Sequence, residues 1–144
     1  MVLGPRVAQL ADTSAWFVSR RRAELKADFD AQVISRGVAT CDAVKFELLH
    51  TARSGVELSA RRTELDLFPQ CPIGRDEWRR ALDVYETLAH QGGMHHRRVK
   101  RSDLLIAAAA ESSGMTVLHY DADFDTIAAV TGQPVRWIAP RGSL

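Results

Sequence analysis

Short apolar segments alternate with helix-like segments along the 144-residue chain. Four segments have the length and composition of buried strands, at residues 7–11, 38–41, 116–120 and 135–138. Helix-capping or amphipathic patterns separate them, and the longest predicts a helix over residues 75–90. Strands that are separated by helices pair in parallel and lie between layers of helices. The sequence therefore predicts a single domain over residues 1–144, of the α/β class, with three α/β/α layers and a central, mainly parallel sheet.

Composition and charge exclude several classes of protein. The 46% hydrophobic and 26% charged residues are typical of a folded globular chain. The longest apolar run, residues 104–110, is far shorter than the roughly 18 residues that a membrane span requires. No secretory-signal pattern opens the sequence. We therefore expect a cytoplasmic protein without a membrane partner, in which Cys41 and Cys71 are reduced thiols.

Two aspartates stand where a predicted strand gives way to a helix. Asp12 follows the first strand, and Asp121 follows the third. The carboxyl ends of parallel strands form the edge of the sheet where α/β proteins bind ligands. Aspartate is also a common helix N-cap, so neither residue alone indicates a function.

Glu47 belongs to a predicted helix over residues 42–54. It shares one face with Val44, and a glutamate on a buried face needs a positive partner. Phe46 and Leu49 form a second apolar stripe on this helix, so the pattern leaves the buried face open. Glu47 is therefore a candidate site residue whose orientation the sequence does not fix.

Further acids occur at Asp103, beside the apolar helix predicted over residues 104–112, and in the Asp-Ala-Asp-Phe-Asp run at residues 121–125. The run does not match a calcium-binding EF-hand loop, because Thr126 and Gly132 replace the required glycine and glutamate. A nucleophile motif of the haloacid-dehalogenase type remains open, although those enzymes carry it near the amino terminus.

Convergence of these acids requires a cation, because unneutralised carboxylates repel one another. Oxygen-only ligands favour Mg²⁺ or Mn²⁺ over Zn²⁺. Such an ion suits phosphodiester hydrolysis, because it makes water more acidic and stabilises the leaving oxygen. The candidate residues are Asp12, Glu47, Asp103, Asp121 and Asp123.

A basic segment, residues 95–101, immediately precedes Asp103. We interpret it as a loop that binds the phosphates of RNA, although a merely solvated loop has the same composition. Its candidate RNA-binding residues are Arg97, Arg98, Lys100 and Arg101.

In these acidic segments the chain resembles the VapC-type toxins of the PIN-domain ribonuclease family, which belong to type II toxin–antitoxin systems. The resemblance depends on four segments in the family's order: Leu10-Ala11-Asp12-Thr13-Ser14-Ala15, Glu47-Leu48-Leu49, Ser102-Asp103-Leu104-Leu105-Ile106-Ala107-Ala108, and residues 117–125.

The resemblance implies a Mg²⁺- or Mn²⁺-dependent endoribonuclease, a homodimer, and a cognate VapB-type antitoxin that neutralises it. Matched by motif, Asp12, Glu47, Asp103 and Asp121 take the family's four acidic catalytic positions. It also implies metal ligation by Asp12, Asp103, Asp121 and Asp123, with Thr13 or Ser14 bonding near the metal or its water.

Two other functions stay open on the sequence: a haloacid-dehalogenase-like phosphatase that uses Asp121, and a catalytically silent module that binds RNA or a partner. We expect the antitoxin to bind in a hydrophobic groove beside the edge of the sheet where the acids are predicted to lie. Its candidate contacts are Trp16, Phe46 and Leu49.

Overall fold

A computed structural model describes residues 8–144. Within them, the strands are β1 (Gln9–Ala11), β2 (Val38–Ala39), β3 (Val117–His119) and β4 (Val135–Trp137). The helices are α1 (Thr13–Val18), α2 (Ala23–Ile34), α3 (Asp42–Leu49), α4 (Gly55–Asp66), α5 (Arg75–His90), α6 (His95–Arg98), α7 (Arg101–Ser112) and α8 (Asp123–Thr131). Val7, predicted as the first residue of β1, lies outside the described residues.

The four strands of residues 8–144 form one parallel sheet in the order β2-β1-β3-β4. Leu10 is in register with Ala39 on one side and with Val117 on the other. Because β1 and β3 are neighbours, the residues that follow their carboxyl ends emerge side by side. This topology brings Asp12 close to the segment that begins at Tyr120.

The side chains of the sheet alternate between two separate hydrophobic cores. Leu10 and Val117 belong to one core, while Ala11 and Leu118 belong to the other. Successive strand residues point to opposite faces, so both faces of this sheet are buried. The first core is completed mainly by α5, α7 and α8, and the second by α1 and α2. The predicted α/β/α architecture is confirmed.

The predicted end of the helix that begins at Asp42 is wrong. The helix predicted to run to Ser54 ends at Leu49, and Ser54 instead caps α4 by accepting a 3.1 Å hydrogen bond from the Glu57 amide. A serine hydroxyl that accepts a backbone hydrogen bond favours the start of a helix. Ser54 therefore begins α4 and does not extend α3.

The basic segment is also not a simple loop. Residues 95–98 form the single-turn helix α6, and α7 begins at Arg101, before the predicted start at Leu104. The carbonyl of Lys100 accepts hydrogen bonds from the amides of Asp103 and Leu104, at 3.1 and 3.4 Å. Asp103 therefore lies inside the first turn of α7 and does not cap it.

Both cysteines are free, buried thiols. Burial raises the pKa of Cys41 to about 11, so the nucleophilic thiolate is scarce near neutral pH. Among residues 8–144, no helix combines the length and the apolar character that crossing a bilayer requires.

Candidate metal centre

Three acids from separate segments meet at the carboxyl edge of the sheet. Asp103 lies in the first turn of α7, Asp121 follows β3, and Asp123 begins α8. One carboxylate oxygen from each lies within 4.8 Å of the others. We call Asp103, Asp121 and Asp123 the acidic trio.

Asp12 lies beside the acidic trio at the end of β1. Its side chain is only 2% exposed and caps α1, with the Ala15 amide donating to Oδ1 at 3.0 Å. Burial raises its pKa to about 6, the hydrogen bonds from Ala15 and Ser14 oppose the rise, and the charge of Asp121 adds to it. Asp12 thus caps α1 and also lies beside the acidic trio. We call Asp12 and the acidic trio together the acidic edge.

Ser14 connects the ends of the two central strands. Its hydroxyl donates to the Asp12 carboxylate, with Oγ 2.7 and 2.9 Å from the two oxygens. The same Oγ accepts a 2.8 Å hydrogen bond from the Tyr120 amide. This connection fixes the orientation of the Asp12 side chain relative to the segment that carries Asp121.

Asp103 carries the strongest electrostatic penalty of the site. It is 4% exposed, and burial raises its pKa far above the ordinary value for aspartate. Contact with Asp123 and the negative charges of Asp121 and Asp12 raise it further. A cation bound nearby would therefore stabilise the ionised form of Asp103.

The turn between β3 and α8 is held by its own polar groups. The Asp123 amide donates to Asp121 Oδ1 at 2.9 Å, and the Asp121 amide donates to His119 Nδ1 at 3.1 Å. His119 is fully buried, and its burial lowers its pKa. A neutral His119 can accept this bond at Nδ1. Sequence reasoning missed His119, because a lone histidine at the end of an apolar strand carries no signal for this role.

Of the basic segment, Lys100 enters the acidic edge. Its ammonium lies 3.3 Å from Asp121 Oδ2, and its backbone amide donates to Asp123 Oδ2 at 3.1 Å. The structure places Arg97 and Arg98 on α6 and Arg101 at the start of α7, with all three exposed.

The structure places Glu47 and Thr13 outside the acidic trio. Glu47 is half-buried on α3, and the inner face of that helix carries Val44, whereas Phe46 is 80% exposed. Glu47 Oε1 and Thr13 Oγ1 are buried without a hydrogen-bond partner among residues 8–144. Both atoms retain their capacity to accept a hydrogen bond.

The residues present fit a metal ion with a preference for oxygen ligands. The acidic trio offers only carboxylate oxygens, which hard divalent cations prefer. Asp103 Oδ2 is buried and has no hydrogen-bond partner within the described part of the chain. A buried carboxylate oxygen of this kind is costly unless something positive satisfies it.

The three predicted antitoxin contacts do not line one groove. Trp16 lines a cavity of about 200 Å³ between α1, α3 and α4. Phe46 and Leu49 line a different cavity of about 460 Å³, together with residues of α4 such as Leu58. The prediction of a single groove is therefore wrong, because α3 presents Leu48 to the first cavity and Phe46 to the second.

Comparison with known proteins identifies the family. A PIN domain matches residues 10–130. The chain is 45% identical to Ribonuclease VapC18 of Mycobacterium tuberculosis over 133 residues, which cover 92% of this chain and 96% of that protein. It is 43% identical to Ribonuclease VapC51 of the same species over 107 residues, covering 74% and 76% of the two chains.

Solved structures share the fold. DNA-bound VapBC from Salmonella typhimurium superposes with a TM-score of 0.70 at 16% identity, over 92% of this chain and 99% of that one. VapBC-5 from Mycobacterium tuberculosis, a member of the VapBC family of toxin–antitoxin systems, gives a TM-score of 0.56 at 28% identity, over 91% and 97%. The chain has the acidic edge described above, a PIN domain matches most of its length, and VapC18 is matched over nearly its whole length. This chain therefore belongs to the PIN-domain family and to its VapC group.

Proposed function

We propose that this protein is the toxin of a type II toxin–antitoxin pair, and that it hydrolyses RNA phosphodiester bonds with Mg²⁺ or Mn²⁺. The convergence of Asp103, Asp121 and Asp123 beside Asp12 carries the proposal. The similarity to proteins named ribonucleases supports the reaction class.

In this proposal four of the acids share one role, and the neighbouring side chains have others. Asp12, Asp103, Asp121 and Asp123 hold the cation, which when bound makes water more acidic and offsets negative charge on the phosphate. Ser14 orients Asp12 through the hydrogen bonds described above. Glu47 contributes a further carboxylate from α3, and Thr13 a hydroxyl from α1.

The basic segment supplies the RNA contacts. It leads directly into α7, which carries Asp103. We therefore assign the contacts with RNA phosphates to Arg97, Arg98, Lys100 and Arg101. Their positive charge compensates for the repulsion between RNA phosphates and the acidic edge. Binding through phosphates predicts an affinity that falls steeply with salt concentration.

The proposed assembly includes partners and a compartment. Structural neighbours are described as VapBC toxin–antitoxin complexes, and we infer that a VapB-type antitoxin neutralises this chain as well. A cytoplasmic location belongs to the same proposal, because both the antitoxin and the RNA must reach the acidic edge. The proposal also includes a homodimer.

The decisive experiment compares cleavage of a structured RNA by the purified wild-type protein, Asp103→Asn and Asp83→Asn. Asp83 is an exposed aspartate on α5 and serves as the matched control. Asp103→Asn is expected to lower the cleavage rate by about 10²–10³, because a metal ion stabilises the transition state by several kcal/mol. Asp83→Asn is expected to cleave like the wild type, and a chelator is expected to stop all three.

Unimpaired cleavage by correctly folded Asp103→Asn would contradict the proposal. RNA binding without cleavage at any Mg²⁺ or Mn²⁺ concentration would instead support the catalytically silent module. An aspartyl-phosphate trapped on Asp121 would support the phosphatase, for which the structure offers no role for Asp12.

A further inference from the structure

Lys100 contacts every member of the acidic trio, each through a different group. Its backbone amide donates to Asp123 Oδ2 at 3.1 Å, and its carbonyl accepts from the Asp103 amide at 3.1 Å. Its ammonium lies 3.3 Å from Asp121 Oδ2. The two backbone contacts fix the residue, whereas the ammonium is attached through a flexible side chain.

The ammonium lies at the solvent side of the cluster. The Lys100 side chain is 68% exposed, compared with 21% for Asp121. Burial opposes the charge of Lys100, but the bond to Asp121 and the charges of the acidic trio raise its pKa above the usual value. A lysine ammonium is charged at neutral pH, and this exposed side chain can move into solvent without a large rearrangement.

A divalent cation and the Lys100 ammonium compete for the same carboxylate. A divalent cation held by the acidic trio would be coordinated by carboxylate oxygens of Asp121. Its two positive charges would repel an ammonium group only a few ångströms away. The backbone contacts of Lys100 to Asp103 and Asp123 do not involve this charge, so they are compatible with both arrangements.

We propose that Lys100 is the internal counter-cation of the acidic trio, and that a divalent cation displaces its ammonium from Asp121 on binding. This inference rests on the proposed metal site. It makes Lys100 a residue that sets metal affinity, in addition to its proposed contact with RNA. The lysine stabilises the cluster without metal and weakens the affinity for the ion by competing with it.

The test measures Mn²⁺ binding to the RNA-free protein, by titration with detection of free Mn²⁺ by electron paramagnetic resonance. Lys100→Met keeps the unbranched stem and both backbone contacts but removes the charge. Arg98→Met is the matched control, since it removes a positive charge from the same segment, and this arginine is exposed on α6.

Lys100→Met is expected to bind Mn²⁺ about fivefold more tightly than the wild type, as expected for removal of one exposed ion pair that competes with the ion. Arg98→Met is expected to change the dissociation constant less than about 1.5-fold, because within residues 8–144 Arg98 forms no ion pair with the acidic trio, and solvent screens its exposed charge. Lys100→Gln provides the same comparison if the methionine variant does not fold.

Equal affinities of Lys100→Met and Arg98→Met would overturn the inference while leaving the proposed function intact. Weaker Mn²⁺ binding by Lys100→Met would also overturn it, because it would mean that the lysine supports the bound ion. No Mn²⁺ binding by the wild-type protein would overturn both this inference and the proposed metal site.

Discussion

Replacement of Asp12 by asparagine is expected to stabilise the metal-free protein while removing one of the proposed metal ligands. The asparagine oxygen can still accept the hydrogen bond from the Ala15 amide, and asparagine caps helices as well as aspartate does. The Ser14 hydroxyl can rotate to accept from the new amide group. The main change is therefore the loss of a buried negative charge.

The pKa of Asp12 gives the size and sign of the effect. Its pKa rises from 3.8 to about 6 on folding, so the folded state binds the proton more tightly than the unfolded state. Stability therefore falls as the pH increases from about 4 to about 6, and the full cost is present above that range. Because one pKa unit corresponds to about 1.4 kcal/mol, the cost is about 3 kcal/mol at pH 7.

The assay is urea unfolding of metal-free wild type, Asp12→Asn and Asp83→Asn at pH 4 and at pH 7. Asp12→Asn is expected to be more stable than wild type by about 1–3 kcal/mol at pH 7 and nearly equal at pH 4. The exposed control is expected to stay within about 0.5 kcal/mol at both pH values. A stability difference for Asp12→Asn that is absent at pH 7, or independent of pH, would refute the reasoning.

Three further substitutions test the surroundings of the site and the packing of the cores. Ser14→Ala removes the acceptor of the Tyr120 amide and the donor to Asp12, so we expect a loss of about 1–3 kcal/mol in urea unfolding. Cleavage should also slow by about 10–100-fold, and wild-type stability in this variant would count against the connection. Phe124→Ala should cost about 3–5 kcal/mol because Phe124 is fully buried. Phe46→Ala should cost less than about 0.5 kcal/mol because Phe46 is 80% exposed, and similar losses for both phenylalanines would contradict the assigned cores.

The sequence predicted the parts of the fold that depend on local pattern. The helix over residues 75–90 has the predicted bounds, and a strand does end immediately before Asp12. Alternating strand and helix patterns were sufficient for the parallel sheet, because few other arrangements bury short apolar strands on both faces. The meeting of Asp103 with Asp121 follows from that topology.

Side-chain placement within the site was not predictable in the same way. Glu47 lies on a helix with two apolar stripes, and only packing against the rest of the domain decides that Val44 is inside and Phe46 outside. The contact between Lys100 and Asp121 joins residues 21 positions apart. Such a contact depends on the path of the chain through α7 and β3, which periodicity does not encode.

The order in which the acids appear along the chain has a consequence for protein synthesis. Asp12 is made first, whereas Asp121 follows 109 residues later. At translation rates of about 5–20 residues per second, roughly 5–20 seconds separate the two. A ribosome that stops in this interval produces a polypeptide with an incomplete ligand set. The proposed metal site thus cannot assemble until Asp121 and Asp123 have been synthesised.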